Sequence, residues 1–74
     1  MNAKKATFKV LELLDHGDTF TGFTLRAMAR LDAPKMHYPA TYLRYMREYR
    51  DINGVCIPCI SKSKSMYQMG ESNE

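Results

Sequence analysis

Two clusters in this chain have the residue types and spacing to do chemistry. The first is Cys56-Ile57-Pro58-Cys59, two thiols separated by two residues. The second runs from Tyr38 to Arg50, where three arginines are interleaved with four tyrosines. A thiol pair at this spacing belongs to zinc coordination or to dithiol redox chemistry. Zinc wants a second pair, or two histidines at finger spacing. Here there is one pair, and His16 and His37 both precede it. Redox chemistry wants the first cysteine at a helix N-terminus after a strand, and Ser61 to Ser65 makes a poor helix. A regular strand would point Cys56 and Cys59 to opposite faces, although Pro58 would permit a knuckle turn. The favoured reading is a pair of buried or half-buried structural cysteines, with metal and redox chemistry as weaker alternatives. No metal and no cofactor is expected.

The second cluster is built for binding. Arginines and tyrosines leave a thin apolar seam, so such a helix meets something outside its own core. Catalytic patterns are absent from the sequence: no glycine-rich phosphate loop, no carboxylate pair at working spacing, no Ser-His-Asp arrangement. Seventy-four residues make one domain at most. A chain of that size buries a small core, which disfavours a deep active-site pocket, so an enzyme is not expected. Hydrophobic content of 45 % and charged content of 26 % are ordinary for a folded chain. Six methionines suit gap-filling in a small core.

The net charge is +3, and its distribution matters more than its size. Residues 1–34 carry five basic and four acidic side chains, whereas residues 35–70 carry six basic and two acidic. The positive field therefore falls on the second half. No apolar run approaches the roughly 20 residues needed to cross a bilayer, and no secretory signal pattern is present. A cytoplasmic chain with reduced cysteines is expected.

The elements that position these residues can be read in order. Asn2 caps a first helix expected to reach His16, with Phe8, Val10, Leu11, Leu13 and Leu14 inward and Gly17 as its left-handed stop. Asp18 to Phe20 reads as a short extended link. Thr21 caps a second helix, Gly22 to Leu31, with Leu25, Met28, Ala29 and Leu31 inside and Arg26 and Arg30 outside. Pro34 interrupts, and Asp32 to Tyr38 is a turn. Pro39 opens a third helix that runs to about Asp51, and Asn53-Gly54 is a turn signal. Val55 to Ile60 and Met66 to Met69 read as a β-hairpin with a basic tip, Ser61-Lys62-Ser63-Lys64-Ser65. Pro58 belongs on an edge. Residues 1–70 make one domain, and residues 71–74 a polar, flexible tail.

This order resembles the winged helix-turn-helix family. The resemblance spans residues 7–69 and is carried by Phe20 to Leu25, by Leu43 to Met46 and by the Val55-to-Met69 hairpin. It departs from the family in a turn longer than the usual three or four residues, in the late Gly54 and in the proline of the first hairpin strand. It implies an α+β fold with three helices and a C-terminal β-hairpin wing. It implies a small double-stranded-DNA-binding protein, a transcriptional regulator or a phage- or plasmid-type accessory factor. The third helix would then lie in the major groove. With Pro39, Leu43, Met46 and the Arg50 stem inward, Thr41, Arg44, Tyr45 and Glu48 would face the DNA. Arg44 would pair with guanine or phosphate, Thr41 with phosphate or a thymine methyl, and Tyr45 with phosphate. Glu48 would accept from cytosine or orient Arg44. Lys35 and His37 would add backbone contacts, Arg47 would also belong to the DNA-binding set, and Lys62 and Lys64 on the wing tip would reach the neighbouring backbone or minor groove.

Blander roles stand beside each of these. Tyr42 and Tyr49 suit the core boundary. Arg47 would pair equally well with Asp51 on the surface. Lys62 and Lys64 would keep an edge hairpin soluble. The alternative function is a winged-helix protein-interaction module without DNA binding. A homodimer is a natural way for so small a binder to gain affinity.

Overall fold

Asn2 opens the first helix as its sequence position requires, its side-chain Oδ1 accepting the Lys5 main-chain N–H at 2.8 Å. The computed structural model describes residues 1–70, and the expected tail at 71–74 lies outside them. Helix α1 (Ala3–Leu13) buries Ala3, Ala6, Thr7, Val10 and Leu11 along one stripe. Thr7 is fully buried, and its hydroxyl donates to the Ala3 carbonyl at 2.7 Å, so no polar group is orphaned there.

The helix stops three residues short of the expected His16. The Asp18 carboxylate accepts the Asp15 N–H at 2.8 Å, offering the backbone a turn in place of another helical bond. The sheet then takes over. Gly17 N–H donates to the Met69 carbonyl at 2.7 Å, and Met69 N–H returns to the Asp18 carbonyl at 2.8 Å. Gly17 has φ +90°, but it serves this turn rather than the helix end. Strand β1 (Thr19–Phe20) follows.

Helix α2 (Gly22–Ala29) begins with a reciprocal cap: Thr21 accepts from the Thr24 N–H, and the Thr24 hydroxyl accepts from the Thr21 N–H. Threonine thus stands in for the usual glutamate. The helix ends earlier than expected. Ala33 N–H bonds back to the Ala29 carbonyl at 2.9 Å, and Ala33, 4 % exposed, enters the core. Leu31, expected inside, is 82 % exposed, and Met28 is only half-covered.

Helix α3 (Pro39–Asn53) starts on a proline that has no N–H to leave unpaired. It runs past the expected Asp51 and stops at Gly54, whose left-handed φ of 63° closes the last turn on the Arg50 carbonyl. Its buried residues are Tyr42, Met46 and Tyr49.

The hairpin is shorter than expected. Strand β2 (Cys59–Ser61) pairs with β3 (Met66–Gln68), and β3 pairs with β1, all antiparallel, in the order β1-β3-β2. Regular strand pairing is lost at residues 56–58, where Pro58 has no N–H to give, and Val55 makes only an isolated bridge. The extended register nonetheless persists. Gln68 N–H donates to the Pro58 carbonyl at 3.1 Å, and Gly70 N–H to the Cys56 carbonyl at 2.9 Å. These bonds sit two residues apart on both segments, in register with the Cys59–Tyr67 pair. Ile57, buried, pins this arm to the core.

Among the described residues the fold is therefore α+β: three helices and a small three-stranded antiparallel sheet. The core joins Ala6, Leu11, Leu25 and Ala29 to Phe20, Tyr42, Met46, Ile57 and Met69. Phe20 stacks against Tyr67 at 6.2 Å, and Phe8 meets Tyr49 edge-on at 5.3 Å. Burial raises the Tyr49 phenol pKa above its usual value, and the nearby Glu12 charge adds to that.

Candidate nucleic-acid interface

Tyr42, Met46 and Tyr49 turn the opposite side of α3 to solvent. At about 100° per residue that side carries Ala40, Arg44, Arg47 and Asp51, all exposed. The inward face thus differs from the expected Pro39, Leu43, Met46 and Arg50 stem. Met46 is shared, but the helix is rotated toward its tyrosines, whose rings cover more apolar area than Leu43 and Pro39 can. Arg44 stays outward.

Tyr45 and Glu48 move to a flank. Tyr45 is half-buried, packed against the core and edge-on to Tyr42 at 6.4 Å. The Arg44 guanidinium lies 5.7 Å from the Tyr45 ring centre. Glu48 turns toward α1, where its Oε2 lies 3.3 Å from Lys4 Nζ. That oxygen is shielded from water and makes no aligned hydrogen bond, although the side chain as a whole is 45 % exposed. Glu48 therefore belongs to the α1–α3 contact and does not orient Arg44.

Arg47 does not pair with Asp51. The Asp51 carboxylate takes Arg50, its chain neighbour, at 3.5 Å. Lys9 holds Asp32 at 3.0 Å. Such surface pairs contribute little stability, but they decide which charges remain free. Among the described residues Lys5, Arg26, Arg30, Lys35, Arg44, Arg47, Lys62 and Lys64 form no ion pair. All of these but Lys5, on α1, come from α2, the turn after it, α3 and the hairpin tip.

The remaining expected residues frame the head of α3. Lys35 is exposed in the turn. His37 is half-buried: its N–H donates to the Tyr42 hydroxyl at 3.4 Å, and its ring lies edge-on to that phenol at 6.2 Å. Thr41 is half-buried in a cleft shared with Arg26, Met36, His37 and Tyr38. Lys62 and Lys64 are exposed on the hairpin tip. Lys64 and its serine neighbours line a second cleft with Phe23, Pro39 and Leu43, so the tip stands beside the heads of α2 and α3. The clefts thus set His37, Thr41 and Lys64 beside the heads of α2 and α3, while Arg44 and Arg47 lie on the outward face of α3. Glu48 turns toward Lys4 of α1, and Tyr45 shares a cleft with Lys35, His37 and residues Met1 to Lys4.

Sequence reading assigned no role at this end to Phe23 or Tyr38, which are 65 % and 83 % exposed. It placed Arg26 outward but left it out of the site. Its signal was available: from Phe20 to Arg47 the only acidic residue is Asp32.

The cysteines are not buried. Cys56 and Cys59 are free thiols, and both are exposed. The register of the arm explains why they stand apart. Three extended steps separate their Cα atoms by about 10 Å and place the side chains on opposite faces. A disulfide needs less than about 7 Å, so in this register the pair neither closes on itself nor shares an ion. Among the described residues no group of three or more His, Cys, Asp or Glu is arranged to hold a metal. No described helix is long and apolar enough to cross a membrane.

No protein-family model, curated protein or solved structure matches this chain.

Proposed function

We propose that the chain is a small double-stranded-DNA-binding protein with a winged-helix layout. In this reading α2 and α3 form the helix-turn-helix, and the β2–β3 hairpin is the wing. The observation that supports it is the partition of charge. Ion pairing consumes Lys4, Lys9 and Arg50 and leaves eight basic side chains without an ion pair among the described residues, seven of them on the α2, turn, α3 and hairpin-tip segments and one, Lys5, on α1. A polyanion with regular phosphate spacing fits such a surface. Arg44 and Arg47 enter the major groove from the outward face of α3, where Arg44 reads guanine or holds phosphate. Lys35 and Lys64 grip the backbone on either side of the helix head, and Lys62 extends that grip. Thr41 and His37 contact the phosphate nearest the turn. The protein acts as a transcriptional regulator or an accessory factor on DNA, as a homodimer or beside a protein partner, with no catalytic step.

Fluorescence-anisotropy titration of labelled random-sequence duplex tests this. If five of the seven cations meet phosphates, log K falls with log salt at a slope of roughly −4 to −5. A protein that ignores duplex even at low salt is not a DNA-binding protein.

The second reading is a protein-interaction module. Exposed Phe23, Leu31 and Tyr38 favour it. A tight protein complex insensitive to salt, with no duplex binding, would establish it.

A further inference from the structure

Resting on the DNA-binding reading, we propose that Phe23 and Tyr38 form a stacking platform for unpaired bases. The preferred ligand is then duplex DNA adjoining a single-stranded segment.

Tyr38 precedes the first residue of α3 and makes no capping hydrogen bond through its side chain. The residue is 83 % exposed, so neither packing nor side-chain capping explains a large aromatic residue there. Phe23 sits in the first turn of α2, also exposed. Arg26 links the two. Its guanidinium lies 5.5 Å from the Phe23 ring centre, and the same side chain lines a cleft with Tyr38. The result is an aromatic, a cation and an aromatic along one edge of the α2–α3 surface.

Charge selects the partner. Between Phe20 and Arg47 the one acidic residue, Asp32, is engaged by Lys9. Lys35 and Arg44, both exposed and without an ion pair, lie three residues before and six after Tyr38 in the chain. An apolar partner would leave these cations unanswered, and a simple anion would leave the rings bare. An unpaired stretch of nucleic acid answers both, with phosphates for the cations and π-faces for the rings. Paired bases keep their faces inside the stack and offer the rings nothing.

The test compares a fully paired duplex with the same duplex carrying a single-stranded overhang, at one salt concentration. Wild-type protein is expected to bind the overhang substrate about tenfold more tightly, within the range one or two stacked bases supply. Phe23→Ala/Tyr38→Ala should bind both substrates equally and keep its affinity for paired duplex. Tyr38→Phe should retain the preference, and Tyr38→Leu, apolar without a π-face, should reduce it. Equal wild-type binding to both substrates overturns the platform while leaving duplex binding intact. So does an alanine pair that loses affinity equally on both. Failure of the wild-type protein to bind either substrate removes the DNA-binding reading and the platform with it.

Discussion

The Tyr42 hydroxyl accepts the main-chain N–H of His37 at 3.4 Å, tying the turn before α3 to the helix's own buried face. Tyr42 is completely enclosed, so this bond pins the start of α3 from within the core. Two variants separate its roles. Tyr42→Phe keeps the ring and removes the bond, and should cost about 0.5–1 kcal/mol because the bond is long. Tyr42→Ala should cost about 3–5 kcal/mol. Chemical denaturation measures both. DNA affinity of Tyr42→Phe should fall at protein concentrations and temperatures where the fold is still intact, because the head of α3 is loosened.

Gly22 of α2 packs directly against the main chain at the head of α3. A Cβ placed there would lie 2.6 Å from the Pro39 carbonyl oxygen, which is main chain and cannot swing aside. Gly22→Ala should destabilise the fold by about 1–3 kcal/mol, although alanine is the better helix former. Thermal unfolding reads this, and a variant as stable as wild type would show that the helices can separate freely.

Tyr49 gives the fold a limit at high pH. Burial raises its folded-state pKa, with Glu12 adding to the shift, whereas the unfolded phenol titrates near 10.0. The neutral phenol is the form the folded state favours. Its contribution is complete below pH 10 and is lost as pH rises through the raised folded-state pKa. Tyr49→Phe should therefore flatten part of the stability loss above pH 10. Urea unfolding from pH 8 to 11 for both proteins makes the comparison.

Arg44 and Arg47 should matter to binding and not to folding. Both are exposed and unpaired, so either alanine substitution should leave stability within about 0.5 kcal/mol of wild type. Each should lower the salt slope of duplex binding by about 1 if its contact is to phosphate. Met46→Ala acts the other way, costing about 2–5 kcal/mol through the cavity it leaves. Leu43→Ala should cost less, because Leu43 lies on the flank and is half-buried.

Local chemistry made much of this fold legible in the sequence. Asn2 and Thr21 cap helices, Pro39 starts one and Gly54 ends one, each by an interaction confined to a few residues. The errors share a different cause. The end of α1 depends on the Asp18 carboxylate and on bonds to Met69, more than fifty residues away. Ala33 displaced Leu31 from the core because the chain turned back on Ala29, which periodicity alone does not encode. The rotation of α3 followed from two tyrosines that serve as core residues, where their polar ends suggested a boundary. The cysteines stand apart and exposed because the extended register continues past Pro58 and sets them on opposite faces. At the candidate site, Arg44 and Arg47 kept the outward place expected of them, whereas Tyr45 and Glu48 were claimed by Tyr42 and Lys4. The role of Phe23 and Tyr38 was hidden because exposure is not written in residue type.

The most direct test of the proposed interface is an amide NMR titration of the whole protein with duplex DNA at low salt. The account expects shifts concentrated at residues 35–47, at 62–65 and in α2, with Glu12, Asp15 and Asp18 unmoved. Shifts centred on α1 and the Asp15–Asp18 turn, or none at saturating duplex, would contradict it.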